Sequence, residues 1–406
     1  MSRNGNRPAA GKIGILKPLQ HLTILDLSRV LACPFASMIL AELGATVIKV
    51  EQPGAGDETR GFEPRLARDS AYYFACNRSK ASITVNLRSP EGQNIIRELA
   101  QQADVVVENF PPGTLGRFGL DFTMLAALNP KLIYVSCTGF GQTGPYAGKK
   151  GYDTVFQAMG GLMSLTGEKG GGPVKPGLPV ADLSSGLWVA IGILAMLAGR
   201  EKTGRGAHLD FSMLDGQVAL LTLAAARYFA LGEVPPRLGT EHPGRVPSAT
   251  FRCKDGRFAH ITASDQHWDP LCRVLKLKFD LDLSTNEMRV KHRDVVMSKL
   301  NEEIAKIERA RLLQMLDEVE VPIGPVNDVA EVLADAQVRA RGLVGSFDYP
   351  GVGEFKALGL PFRFLGWDNP EIGAPPTLGG DTERILAEKL AYSSEKIAAL
   401  RAAKAI

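Results

Sequence analysis

The sequence predicts an α/β protein: a Rossmann-like parallel-sheet domain in the first half, joined to a smaller α+β domain. Three observations predict it. Short apolar strand-like runs alternate with helix-like runs between residues 22 and 136, and that βαβ rhythm demands parallel strands with helices on both faces. After Gly204 the alternation gives way to a hairpin pattern followed by two amphipathic helices. The chain has 406 residues, more than one ordinary core fills.

The elements follow in order. Leu22–Leu27 is a short apolar strand, Pro34–Leu43 a helix ending at Gly44, and Thr46–Val50 a second strand before the turn Gln52-Pro53-Gly54. Ser89–Ala103 has helical period with Pro90 in its first turn. Val105–Val107 is a strand, Thr123–Leu128 a helix and Leu132–Ser136 a strand. Ligands of such sheets bind beyond the C-terminal strand ends. His208–Met213 reads as a strand and Gln217–Leu231 as a helix; the Pro/Gly-rich stretch Glu233–Pro247 reads as a linker or active-site loop. Thr250–Cys253 and Phe258–Thr262 form a hairpin. Helices are expected over Arg293–Lys306, Arg309–Val319 and, near the C-terminus, Thr382–Ala391.

Composition narrows the function class. The chain is 45% hydrophobic and 22% charged with net charge +3, and no Lys/Arg block points to nucleic acid. Five scattered cysteines without a CxxC predict reduced thiols in a cytoplasmic protein and offer no zinc ligand pattern. Met1–Lys12 is polar and reads as a disordered tail rather than a signal peptide. Gly186–Gly199 is apolar but short for a membrane span, which predicts a buried core helix and no membrane partner.

Asp182 is the most informative residue. It lies in Gly177-Leu178-Pro179-Val180-Ala181-Asp182, just ahead of the apolar run Leu187–Ala198. A Gly/Pro turn there presents one carboxylate at the mouth of a helix. The helix dipole favours an anion at that point, and free N–H groups there can hold an oxyanion. The plain alternative is an ordinary N-cap.

Other motifs carry less. Gly139-Phe140-Gly141-Gln142-Thr143-Gly144 fits G-x-G-x-x-G but continues as loop, without a well-spaced acid for a ribose, so a nicotinamide cofactor is not expected. Lys49, Arg60, Arg78, Lys80, Arg88, Arg117 and Lys150 fall in the same βα region. They read either as solvated charge or as a basic rim for phosphates. No Ser–His–acid set and no metal site can be assembled.

Several ordered motifs together resemble the class III coenzyme A transferases. They are Leu25-Asp26-Leu27-Ser28-Arg29-Val30-Leu31-Ala32, Gly44–Glu51, Val106–Phe110 with Pro112-Gly113, Gly139–Tyr146, Gly151-Tyr152-Asp153, Gly204-Arg205-Gly206 with Ser212–Asp215, and Pro322–Asp328. The resemblance spans nearly the whole chain. It implies a large CoA-binding domain over 13–215, a linker helix and loop over 216–248 and a small domain over 249–330. Residues 331–406 would be a linker and a return to the large domain, closing a ring that interlocks with a second copy in a homodimer.

The same resemblance implies Asp182 as catalytic nucleophile. It implies CoA contacts from Val30, Leu31, Ala32, Val85, Asn86, Leu87, Arg88, Asn109, Phe110, Arg117 and Lys150. The expected partners are an acyl-CoA, with a succinyl-CoA-like donor, and a small carboxylic or dicarboxylic acid. CoA is then substrate and product, with no permanently bound cofactor. Arg29, Tyr152, His242 and Arg245 are candidate substrate contacts. Leu31 replaces a glutamine of formyl-CoA transferase, and Gly239–Arg245 stands where that enzyme has a glycine-rich lid. Two rivals remain. One is a 2-methylacyl-CoA racemase, whose histidine falls at Tyr152, a poor proton shuttle near neutral pH. The other is an inactive CoA-binding scaffold.

Overall fold

A computed structural model describes residues 17–406. The tail expected over Met1–Lys12 lies outside the described residues. The chain forms two compact units. The first takes in residues up to Gly160, Gly177–Thr222 and Ala340–Ile406; the second takes in Gly161–Pro176 and Leu223–Arg339.

The first unit is built on a six-stranded sheet. Its strands are β1 (Thr23–Asp26), β2 (Thr46–Glu51), β3 (Ala81–Thr84), β4 (Val105–Glu108), β5 (Ile133–Thr138) and β6 (Ala207–Ser212). The spatial order is β3-β2-β1-β4-β5-β6 and every neighbouring pair is parallel. Strand order therefore reverses between β1 and β4, where such sheets open a crevice at their C-terminal ends. Val105, Val106, Val107 and Glu108 are all buried, as a central strand covered on both faces requires.

Helices cover the sheet: α1 (Ala32–Glu42), α2 (Ala71–Asn77), α3 (Pro90–Gln102), α4 (Phe122–Leu128), α5 (Asp153–Met159), α6 (Val180–Thr203) and α7 (Met213–Leu220). α3 starts where Ser89 accepts the Gly92 N–H at 2.9 Å, with Pro90 just inside. α6 lies tight against α1, because a Cβ on Gly186 would stand 2.7 Å from the Ala32 carbonyl. Gly204 ends α6 in the left-handed conformation (φ 65°).

Two expectations change here. The helix over Gln217–Leu231 is two helices, α7 and Thr222–Leu231, with Leu221 between them. The apolar run taken as a short buried helix belongs to 24-residue α6, long and apolar enough to cross a membrane. It is a core helix on one side only. Val189, Ile193 and Leu197 face the sheet, whereas Leu187, Trp188, Ile191 and Leu194 are exposed.

The C-terminal segment returns to the first unit. Asp381 and Thr382 accept the Ser82 and Thr84 N–H groups at 3.0 Å each, on edge strand β3. The Ala405 carbonyl accepts the Asn86 N–H at 2.8 Å. The hairpin Val344–Tyr349/Gly353–Leu358 packs its aromatics on Phe74.

The second unit carries an antiparallel sheet of Ser248–Arg252, Phe258–Thr262 and Ile323–Pro325, with the central strand paired to both others. Helices Asp265–Val274, Arg293–Ile304 and Arg309–Asp317 bury Leu271, Val296, Leu300, Leu312 and Leu316 against it.

Candidate active site

Below the C-terminal ends of β1 and β2 lies a floor of buried ion pairs. The Asp26 carboxylate accepts from the Ser28 N–H (2.9 Å), the Ser37 hydroxyl (2.5 Å) and Lys80 Nζ (3.0 Å). Burial would raise its pKa, but Lys80, Lys49 and the two serine hydroxyls hold it well below the usual carboxylate range. Lys49 Nζ donates to the Ser28 carbonyl at 3.0 Å and pairs with Asp57 at 2.9 Å. Burial alone would lower Lys49; Asp57, Asp26 and Glu51 outweigh it and hold the ammonium above its ordinary value. Arg60 grips Glu51 with two bonds of 2.7 Å and Asp69 with one of 2.6 Å. At the other end of α1, where β2 begins, Arg78 pairs with Glu42 at 2.9 Å.

These four cations therefore do not belong to a phosphate rim. Lys49, Arg60, Arg78 and Lys80 are buried and ion-paired, each to a carboxylate that the fold brings beside it. Arg88, Arg117 and Lys150 are the exposed members of the set.

The floor shapes the loop above it. Val30 adopts φ 70°, rare and costly for a β-branched residue, by about 1–3 kcal/mol. Its N–H points at the Asp57 carboxylate, 3.3 Å away. Across the crevice between β1 and β4, Asn109 clamps the neighbouring peptide: its Oδ1 accepts the Arg29 N–H at 2.9 Å and its Nδ2 donates to the Arg29 carbonyl at 2.7 Å. Phe110 lies under the Arg29 guanidinium, 4.9 Å from its centroid, and that guanidinium is bonded to Glu58 at 2.7 Å.

The predicted CoA contacts thus gather around one sheet end. Val30–Ala32 follow β1 and start α1, Val85–Arg88 follow β3, Asn109 and Phe110 follow β4, and Lys150 lies in the loop after β5. Arg117 lies in the single turn Leu115–Phe118 beyond β4. The glycine-rich run 139–144 follows β5 and remains loop, with the next helix opening only at Asp153.

Asp182 sits in the first turn of α6, two residues inside it, rather than at the cap. Pro179 occupies the cap and has no side-chain acceptor. The missing acceptor comes from Asp153 at the start of α5, whose Oδ1 takes the Ala181 N–H at 2.9 Å and the Asp182 N–H at 3.3 Å. Gln157 Nε2 holds the other oxygen of Asp153 at 2.6 Å.

This corrects the simple helix-mouth picture. Two of the N–H groups at this helix start, of Ala181 and Asp182, are taken, and the positive helix end is covered by a carboxylate. Burial first, and the Asp153 charge second, push the Asp182 carboxyl up to about 7. Among the described residues no side chain donates a hydrogen bond to it. The result is a partly buried carboxylate that is basic and unpaired, the condition of an activated nucleophile.

Sequence reasoning missed two neighbours. Tyr72 on α2 is half-buried, edge-on to Phe62 at 5.3 Å. Its phenol is pushed up to about 12, first by burial and then by Cys76, Asp182 and Asp153. Asp153 was visible in its motif but gave no sign of its partner 29 residues away. Tyr152 precedes α5 and is 81% exposed. His242 and Arg245 are exposed residues of the second unit. Their loop is held there by Arg293, which pairs with Glu241 at 2.9 Å and donates to the His242 and Pro243 carbonyls.

Comparison with known proteins agrees with this architecture. The pattern of CoA-transferase family III matches residues 19–382. The chain is 41% identical to the succinyl-CoA:glutarate CoA-transferase of Homo sapiens over 392 residues, 96% of this chain and 90% of that one. It is 42% identical to the succinate–glutarate CoA-transferase of Agrobacterium fabrum over 336 residues, 80% of this chain and 84% of that one. A solved CAIB/BAIF family protein from Brucella suis superposes with TM-score 0.83 at 40% identity, covering 92% of this chain and 99% of that one. The chain belongs to CoA-transferase family III and is a CoA-transferase.

Proposed function

We propose that the chain moves CoA from a succinyl-CoA-like donor to a small dicarboxylic acid, with Asp182 as the covalent nucleophile. The observation that carries the reading is the Asp182 carboxyl itself, partly buried, pushed up to about 7 and, among the described residues, left without a donor. The names of its glutarate-using relatives support the dicarboxylate.

The steps follow from a basic carboxylate meeting a thioester. An Asp182 oxygen attacks the donor carbonyl carbon, the C–S bond breaks, and CoA leaves as thiolate from a mixed anhydride. The thiolate attacks the Asp182 carbonyl, releasing the donor acid and leaving an aspartyl-CoA thioester. The acceptor carboxylate attacks that thioester, giving a second anhydride and thiolate. Attack of the thiolate on the acceptor carbonyl forms the product and restores Asp182. Splitting one exchange between two anions into these steps lowers each barrier. Arg88, Arg117 and Lys150 supply exposed cations for the CoA phosphates. Val30–Ala32, Val85–Leu87, Asn109 and Phe110 surround the carrier, and Arg29, Tyr152, His242 and Arg245 are the substrate contacts to test.

The protein works as an interlocked homodimer. The exposed apolar residues Leu187, Trp188, Ile191 and Leu194 of α6 give a second copy an apolar surface to cover. Light scattering at nanomolar protein should still report a dimer; a folded, active monomer would refute it. For the chemistry, incubation with acyl-CoA followed by borohydride or hydroxylamine should place a modification on Asp182 by mass spectrometry. Transfer without any adduct at Asp182 would overturn the mechanism.

A further inference from the structure

The Asp153 carboxylate has no place in the steps above, yet it is the closest structural partner of the nucleophile. Three observations define its position. Pro179 leaves the start of α6 without a capping side chain. Asp153 Oδ1 supplies the cap, taking the N–H groups of Ala181 and of Asp182 itself. Gln157 fixes the second oxygen at 2.6 Å, and the Gln157 Oε1 is buried without a partner, so this contact is made by the amide NH2 alone.

A neutral asparagine oxygen at this position could cap the turn as well. A carboxylate there adds something a neutral cap would not: a negative charge beside the carboxylate that must react. The other titratable groups on neighbouring elements do not offset it. The Tyr72 phenol of α2 stays neutral, with its pKa pushed up to about 12. Glu42 of α1 is paired with Arg78. Asp210 of β6 takes the Gln142 N–H, and His208 of the same strand is bonded to Ser136. Cys33 of α1 and Cys137 of β5 are buried beside each other as thiols, and Asp215 of α7 is exposed.

We propose that Asp153 is the positioning residue of the nucleophile: its carboxylate ties down the first turn of α6 and, by its charge, drives Asp182 from free carboxylate into the covalent intermediates. The inference rests on Asp182 being the nucleophile. When the Asp182 oxygen bonds to the donor carbonyl and the C–S bond breaks, the negative charge leaves Asp182 and travels out on the CoA sulfur. The repulsion between Asp153 and Asp182 is then relieved in both the anhydride and the aspartyl thioester. The same charge raises the basicity of the attacking oxygen, and nucleophilicity follows basicity.

The test separates charge from shape. Asp153→Asn keeps the acceptor oxygen and removes the charge; Asp153→Ser removes the charge and, one atom shorter, the acceptor as well. Both should retain CoA affinity. In both, the acid limb of kcat/KM, which reports the free enzyme's essential base, should move to lower pH by about one unit or more. The fraction of enzyme trapped as aspartyl adduct at pH 8 should fall several-fold, as should kcat, with KM for acyl-CoA unchanged. Folded variants with an unmoved acid limb and an unchanged adduct fraction would overturn the inference. Loss of folding in both would overturn it too, because the residue would then serve the fold and not the charge. Adduct formation at Asp182 in the unsubstituted protein is measured separately, so failure of the nucleophile assignment cannot be mistaken for failure here.

Discussion

Two aspartates in the first unit show how burial can produce opposite chemistry. Asp26 lies at the end of β1 and Asp182 in the first turn of α6, and both lose solvent on folding. Around Asp26 the protein supplies Lys80, Lys49 and two serine hydroxyls, and the carboxylate is held ionised. Around Asp182 it supplies another carboxylate and, among the described residues, no donor, and the group is held near neutrality in pKa. Desolvation opposes the charged form in both places; the neighbours decide the outcome. The satisfied carboxylate serves structure, pinning the loop from Ser28 to Leu31 on which the crevice depends. The unsatisfied one is left basic, as the proposed nucleophile requires, at some expense in stability.

That contrast can be broken by substitution. The largest effect is expected for Asp182→Ala, which should lower the transfer rate by at least about 10⁴-fold, as removal of a covalent nucleophile does, while CoA still binds. Retained wild-type turnover would erase the distinction. Next comes Asp26→Asn, which leaves Lys80 buried without its charge partner and should cost about 3–5 kcal/mol of stability. Denaturant titration would read it, and a loss below about 1 kcal/mol would mean that the floor of ion pairs is not structural.

Between buried and exposed cations the same contrast applies. Arg88→Ala should weaken CoA binding by about 1.5–3 kcal/mol without altering stability. Titration calorimetry with CoA and dephospho-CoA would show whether Arg88 meets a phosphate, and an unchanged affinity would remove it from the site.

The smallest effect sharpens the comparison through pH. The Asp182 carboxyl is raised in the folded state from 3.8 to about 7. A raised folded value means that the stability it contributes is fully present below about pH 4 and lost as pH rises through about 7. Asp182→Asn removes that loss. It should stabilise the protein by on the order of 2 kcal/mol at pH 8 and by almost nothing at pH 4. For Asp26, whose folded value is depressed, the sign reverses: its contribution is present above about pH 4 and fades as the solution becomes more acid. Equal stability of Asp182→Asn and the parent at pH 8 would show that Asp182 is not under electrostatic strain.

Much of the fold was legible in the chain. The alternation from Leu22 to Ser136 marked four of the six parallel strands, and Ser89 with Pro90 marked the start of α3 to within one residue. β3 was less visible, because Ala81-Ser82-Ile83-Thr84 is short and only half apolar. The break at Leu221 was hidden because both flanking helices are apolar enough to read as one. The position of Asp182 was legible from the Gly/Pro turn and from the family resemblance, but its environment was not.

The sequence by itself determined the order of strands and helices, the family, and the residue at the start of α6. Those follow from periodicity, from turn chemistry and from ordered motifs, all of which are local along the chain. Tertiary structure alone decided which cations point inward. Lys49, Arg60, Arg78 and Lys80 look in sequence just like Arg88, Arg117 and Lys150, yet the first four each find a buried carboxylate and the last three remain exposed. It also decided that the α6 cap comes from Asp153, 28 and 29 residues before the N–H groups it accepts. A side chain's charge is written in its own formula, but its pKa and its role are set by how much water it loses and by which groups the fold brings beside it.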